Sequence, residues 1–195
     1  MIAAACVAVA AFAAPTPRLA DKSPNAIAVD VELVIAVDIS YSMDLDEQAL
    51  QREGYVLALT SGEFLRALRE GANGKIAVTY FEWAGQHHQQ IIMPWRLIDG
   101  PESADAVAAE IARAPLRRAS RTSIAGALRF AKPLFDNSGY RGLRRVIDGS
   151  GDGANNDGPL VVPMRDDVLA AGITINGLPI MLKRPYLGTM DIEEL

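Results

Sequence analysis

Runs of unbroken apolar residues alternate along this chain with stretches whose apolar positions recur every three or four residues. Val31–Asp38 (VELVIAVD) is rich in β-branched residues and lacks regular polar alternation, which predicts a strand covered on both faces. Leu50, Val56, Leu57, Leu59, Phe64, Leu65 and Leu68 fall at helical spacing and end at Gly71, predicting one helix. Lys75–Ala84 and His87–Trp95 predict two strands joined at Gly85 into a hairpin, with Pro94 marking the second as an edge. Ser103–Ala114 predicts a helix with a serine cap, and Ser123–Asp136 a helix kinked at Pro133. A strand at Arg144–Gly149, a helix at Val161–Gly172 and a last strand at Ile173–Leu182 complete the pattern. Strands alternating with helices, plus one hairpin, predict an α/β layer built on a mostly parallel sheet.

The N-terminus falls outside that alternation. Residues 1–14 (MIAAACVAVAAFAA) are all apolar, and Ala11-Phe12-Ala13 offers a small-x-small cleavage site. This is the apolar and cleavage portion of a secretory signal, without its positively charged start, and it is too short to span a membrane as a helix. The expected organisation is a signal at 1–13, a flexible proline-containing lead-in at 14–28 and one domain at 29–195. The expected location is secreted or periplasmic in a bacterium. The single cysteine, Cys6, lies in the leader, so a cleaved chain has no disulfide, thiol nucleophile or thiolate metal site.

Charge removes another class. The net charge is −5 and the pI near 5.1, where a nucleic-acid binder would show a basic face. Basic residues do gather at Pro115–Arg121 (PLRRASR) and Tyr140–Arg145 (YRGLRR), which read as solvated ends of elements.

The candidate chemistry lies where strands end. In a sheet of this kind ligands occupy the crevice beyond the carboxyl ends of the strands. Asp38 closes the first predicted strand and is followed by Ser40 and Ser42. The loop Arg118–Ser123 opens the third helix on the same rim, and Asp152 follows the later strand. Asp38, Ser40, Ser42, Thr122 and Asp152 therefore converge as two carboxylates and three neutral hydroxyls. An all-oxygen set with one or two carboxylates suits a small, hard divalent cation that keeps some of its water.

Asp38–Ser42 (DISYS), then Thr122, then Asp152 resemble the metal-ion-dependent adhesion site of von Willebrand factor type A domains. Asp148–Gly158 (DGSGDGANNDG) and the strand end Phe81–Gly85 (FEWAG) further resemble a DUF1194-like group of exported bacterial proteins. The likeness covers about Val29 to Leu195. It implies a three-layer, Rossmann-like fold, with one antiparallel edge strand in a mostly parallel sheet and helices on both faces. It also implies Mg²⁺ (or Mn²⁺) bound directly by Ser40 and Ser42, by Thr122 directly or through water, and by Asp38 and Asp152 mostly through water. A partner protein or peptide would complete the coordination with an Asp or Glu carboxylate. Domains of this type carry further elements after Gly177–Leu182 (GLPIML), so the C-terminal part is expected to be truncated.

A second class uses the same residues: a metal-dependent hydrolase or phosphotransferase with Asp38 as nucleophile. That chemistry wants an acid near Asp38 and a lysine for the phosphate. Ser40 stands where the acid is expected, and no lysine falls near the three rim loops. The sequence favours a binding module, not an enzyme, with no nucleic-acid partner and no membrane span in the mature chain. Asp148 stays open between a supporting acceptor and a plain strand-end residue. Asn155, Asn156 and Asp157 read as turn residues, and His87 and His88 as a surface hairpin.

Overall fold

The computed structural model describes residues 25–180. The expected signal, most of the lead-in and the acidic C-terminal end lie outside those residues.

Eleven elements follow in order: β1 (Ile27–Asp38), α1 (Leu45–Thr60), α2 (Gly62–Glu70), β2 (Ile76–Trp83), β3 (Gln89–Ile98), α3 (Pro101–Arg113), α4 (Ile124–Ala131), a 3-10 turn (Lys132–Phe135), β4 (Tyr140–Gly151), α5 (Val161–Ala170) and β5 (Ile173–Pro179). The strands form one five-stranded sheet in the order β3-β2-β1-β4-β5. β1 runs parallel to β2 and β4, β5 runs parallel to β4, and β3 is the antiparallel edge.

Central β1 shows why its sequence is apolar without alternation. Successive side chains of a strand point to opposite faces. Ile35 and Val37 enter a core with Tyr55, Leu59, Leu68, Val107 and Ile111 of α1, α2 and α3. Val34 and Ala36 enter a second core with Ala127, Leu128 and Ala131 of α4 and Val168 of α5. Both faces of the sheet are buried, so both sets must be apolar. The result is three layers: helices, sheet, helices.

The structure departs from the expected elements in several places. The segment read as one helix is two, broken at Ser61. Its N–H closes α1 on Ala58 O, and its Oγ caps α2 by accepting from Phe64 N. The apolar spacing also misplaces the inner face of α1. Leu50 and Leu57 are 52% and 60% exposed, while Gln48, Gln51, Arg52 and Tyr55 are buried against a polar patch of the sheet. There Arg52 pairs with Glu82, and Gln51 donates to Ser150 Oγ.

β3 continues through Pro94 to Ile98, and Pro94 falls where the β2–β3 register slips between Val78↔Arg96 and Tyr80↔Met93. A bulge on an edge strand tolerates a residue with no N–H. α3 starts at Pro101 with Gly100 as its cap, and Ser103 Oγ accepts from Gly100 N. The kink expected at Pro133 is a tightening of α4 into the 3-10 turn. β1 starts at Ile27, so the last two positions of the expected lead-in belong to the strand.

Candidate metal centre

The carboxyl ends of β1 and β4 lie side by side, and the loops that leave them form the rim. The chain after Asp38 continues as a thin extension of the sheet. Ile39 N donates to Trp83 O, Ala119 N donates to Ile39 O, and Ser40 bridges in parallel to Ala119. These bonds lay the loop before α4 alongside the Asp38–Ser42 loop. Asp44 then ends the excursion with a capping box: its Oδ1 accepts from Asp46 N and Glu47 N, and Glu47 Oε2 accepts from Asp44 N.

The structure brings all five expected residues to this rim. Asp38 is fully buried, and its Oδ1 accepts from Ser40 N at 2.7 Å. Ser40 Oγ and Ser42 Oγ are 2.7 Å apart, and Ser42 Oγ donates to Asp152 Oδ1 at 2.6 Å. Thr122, 2% exposed, joins from the third loop. A Cβ placed on Gly153 would lie 3.6 Å from Ser42 Oγ and 3.7 Å from Thr122 Oγ1, so both hydroxyls border one point.

Two features of Asp38 ask for a cation. Its Oδ2 is buried without a hydrogen-bond partner. Burial also pushes its carboxyl up to about 7, against the lowering effect of the Ser40 hydrogen bonds, and the Asp152 charge adds to the rise. A desolvated acid beside a second acid is relieved by a positive charge between them. Among the described residues no three His, Cys, Asp or Glu side chains cluster, so any ion here relies on the hydroxyls. That donor chemistry fits a hard divalent cation.

Other candidates fall elsewhere. Asp148 lines a cavity of about 620 Å³ under α1 with Tyr55 and Gln51, and its carboxyl is pushed up by burial. His87 and His88 occupy the β2–β3 turn, where His88 N donates to Gly85 O.

The sequence reading missed the residues that hold Thr122. Asn156 Oδ1 accepts from Thr122 N at 2.9 Å, while Asn156 N and Asp157 N both donate to Thr122 O. Asn155 Oδ1 accepts from Ala125 N, and Asp157 Oδ2 accepts from Gln86 N. Asn155–Asp157 is thus a clasp that binds the β4–α5 loop to the loop before α4. It also missed Gly151, where a Cβ would meet Asp38 Oδ2 at 2.8 Å. Glycine there lets β4 pass directly against the carboxylate.

Residues 28–194 match the family model described as "Protein of unknown function (DUF1194)". The chain belongs to the DUF1194 family. This DUF1194 chain is similar in structure to proximal thread matrix protein 1 from the mussel byssus, described with a zinc-occupied MIDAS motif. The TM-score is 0.57 at 18% identity, over 78% of this chain and 38% of that one. It is also similar to an aerotolerance-related membrane protein from Bacteroides fragilis NCTC 9343, with TM-score 0.53 and 23% identity over 83% and 75% of the two chains. A third similar structure is the pilus adhesin SpaC from Lactobacillus rhamnosus GG, with TM-score 0.55 and 14% identity over 77% and 24%. The DUF1194 chain spans well under half the length of the mussel protein and about a quarter of the adhesin. At these identities the likeness establishes the three-layer von Willebrand type A fold. Comparison with curated proteins finds no match.

Proposed function

We propose that this protein is a divalent-cation-dependent binding module, which takes an Asp or Glu carboxylate of a partner protein or peptide. Ser40, Ser42 and Thr122 would hold Mg²⁺ or Mn²⁺ through their hydroxyls, with Asp38 and Asp152 supplying the negative charge. A cation bound there offers an open coordination position to an acidic oxygen. The observation that carries this reading is the continuous set of oxygens from Ser40 through Ser42 to Asp152, beside the buried, unpartnered Oδ2 of Asp38. The mussel protein's metal-occupied motif on the same fold supports it.

Each residue has a definable task. Asp38 Oδ1 fixes the turn by accepting Ser40 N, which sets the two serine hydroxyls side by side. Asn156 and Asp157 hold Thr122 against that pair. Gly151 and Gly153 keep side-chain atoms out of the space. Nucleophilic attack by Asp38 is disfavoured, because its carboxylate is fully buried. The apolar leader supports export to the periplasm or the exterior, and among the described residues no helix is long and apolar enough to cross a membrane.

Calorimetric titration with Mg²⁺ and with Mn²⁺ tests the assignment. Weak binding is expected, because three of the five ligands are neutral, and Ser40→Ala/Ser42→Ala is expected to abolish it. Equal binding by wild type and the double variant would remove the serines from the site.

A further inference from the structure

Arg117, Arg118 and Arg121 stand in the loop that supplies Thr122, on the rim of an otherwise acidic chain of net charge −5. All three are exposed. The ion pairs among the described residues join Arg52 to Glu82, Arg96 to Glu110, Lys132 to Asp167 and Arg165 to Asp166, and none uses a rim arginine. Arg117 bonds to Gln90 Oε1 and lowers the pKa of Glu82 through its charge, so it already serves the fold. Arg121 has φ 72, the sole positive φ outside glycine among the described residues, directly before Thr122.

Arg118 is the informative one. Its Nη2 donates to Tyr41 O at 2.6 Å, and its guanidinium carbon lies 5.2 Å from the centroid of the Tyr41 ring. Tyr41 is the residue between Ser40 and Ser42, and it is 60% exposed. The charge is therefore fixed on the peptide that separates two of the proposed ligands. Joining the two loops does not need it, since Ala119 N to Ile39 O and the Ser40–Ala119 bridge already do so. A guanidinium carries five N–H donors in a planar fork that matches a carboxylate. Among the described residues Arg118 has one hydrogen-bond acceptor, Tyr41 O.

We propose that Arg118 is a second anchor for the partner. It pairs with an acidic side chain neighbouring the one that fills the open position of the metal, so the recognised segment carries at least two acidic residues close together. This rests on the metal-dependent reading above and adds the class of segment that fits it. A net charge of −5 gives such a segment little general attraction to the chain, which makes the pairing a matter of register as well as attraction.

The test uses two blocked peptides, Gly-Gly-Asp-Gly-Gly and Gly-Asp-Asp-Asp-Gly, titrated into the Mg²⁺-loaded protein and followed by NMR. Wild type, Arg118→Gln and Arg118→Lys are compared, and Mg²⁺ binding of each is measured separately by calorimetry. The expected result is that Arg118→Gln weakens the triacid peptide about fivefold, the scale of an exposed ion pair. The single-acid peptide and Mg²⁺ should bind it as they bind wild type, and Arg118→Lys should recover part of the loss. An equal effect on both peptides, no effect on either, or a parallel loss of Mg²⁺ affinity overturns the proposal while the metal-dependent reading stands. Peptide binding by wild type that is absent or indifferent to Mg²⁺ overturns that reading and the anchor with it.

Discussion

Ser42 Oγ donates to Asp152 Oδ1 across 2.6 Å, joining the loop after β1 to the loop after β4 over 110 positions of sequence. A hydroxyl has one hydrogen to give. Ser42 gives its hydrogen to the carboxylate, and its oxygen lies 2.7 Å from Ser40 Oγ, whose own hydrogen can turn to Ser42 or to the Asp38 carboxyl. The rim without metal is thus a run of close oxygens, Ser40, Ser42 and Asp152. Its hydroxyl oxygens are close enough to share one ion, and Asp38 is buried beside them.

Gly151→Ala should strike this arrangement at its base. The added methyl would stand 2.8 Å from Asp38 Oδ2 and 3.0 Å from Asp38 Cβ, and Asp38 is wholly buried with nowhere to swing. The expected cost is about 1–3 kcal/mol of stability, as for other overpacked sites, together with weaker Mg²⁺ binding. Denaturant unfolding and calorimetry measure the two effects. Gly149→Ala, whose Cβ would meet nothing nearer than 3.8 Å, should cost less and serves as the comparison.

Asn156→Ala should release Thr122. The variant deprives Thr122 N of its acceptor in a residue that is 2% exposed, a loss worth about 1–3 kcal/mol. Thermal melting in chelator reads that loss, and a Mg²⁺ titration reads the displacement of the Thr122 hydroxyl. Asn156→Asp keeps an acceptor oxygen and should restore most of the stability. If Asn156→Ala melts like wild type and binds Mg²⁺ unchanged, the clasp has no hold on the site.

Arg52→Met should give a pH-dependent defect. Arg52 Nη2 lies 2.5 Å from Glu82 Oε1, with both side chains buried. Burial raises the Glu82 carboxyl above its ordinary 4.5, and the Arg52 charge opposes that rise. Without Arg52 the folded pKa climbs further, while the unfolded value stays near 4.5. A carboxyl raised on folding contributes stability below its unfolded pKa and loses it as pH increases towards the folded pKa. The variant should therefore lose about 3–5 kcal/mol at pH 7 and distinctly less at pH 4. Urea unfolding at the two pH values measures the difference, and an equal loss at both would show that the charge of Glu82 is not the cause.

Much of the fold was legible because the sheet is covered on both faces. Val34–Val37 had to be apolar throughout, and Gly85 and Pro94 marked the hairpin and its edge. α1 was harder to read. Its inner face meets Glu82, Tyr80 and Ser150 instead of an apolar surface, so Gln48, Gln51 and Arg52 are buried while Leu50 and Leu57 face solvent. Hydrophobic spacing has no access to a polar interior. β4 was read short for a related reason. Arg141, Gly142 and Gly151 do not resemble a strand, yet Ile27–Val29 and Val37 pair β4 along almost the full length of β1. The five rim residues were legible as oxygen donors at strand ends, whereas the Asn155–Asp157 clasp was not. Its partners Thr122, Ala125 and Gln86 lie at least 30 positions away, and local sequence shows only a turn.

Rim oxygens that serve a cation should make the fold respond to it, and the melting response of Asp152→Ala to Mg²⁺ reads that dependence. Asp38 has a local duty to Ser40 N, so its removal confounds metal loss with loss of a turn. Asp152 is the cleaner choice, because its charge repels Asp38 and its bond from Ser42 is exposed and holds no backbone turn. A ligand that binds only the folded state raises the melting temperature by mass action. Wild type should melt higher in Mg²⁺ than in chelator. Asp152→Ala should melt close to wild type in chelator and show little or no rise with Mg²⁺. If the variant and wild type gain the same increment from Mg²⁺, or wild type gains none, the rim is a polar turn and the metal centre does not exist.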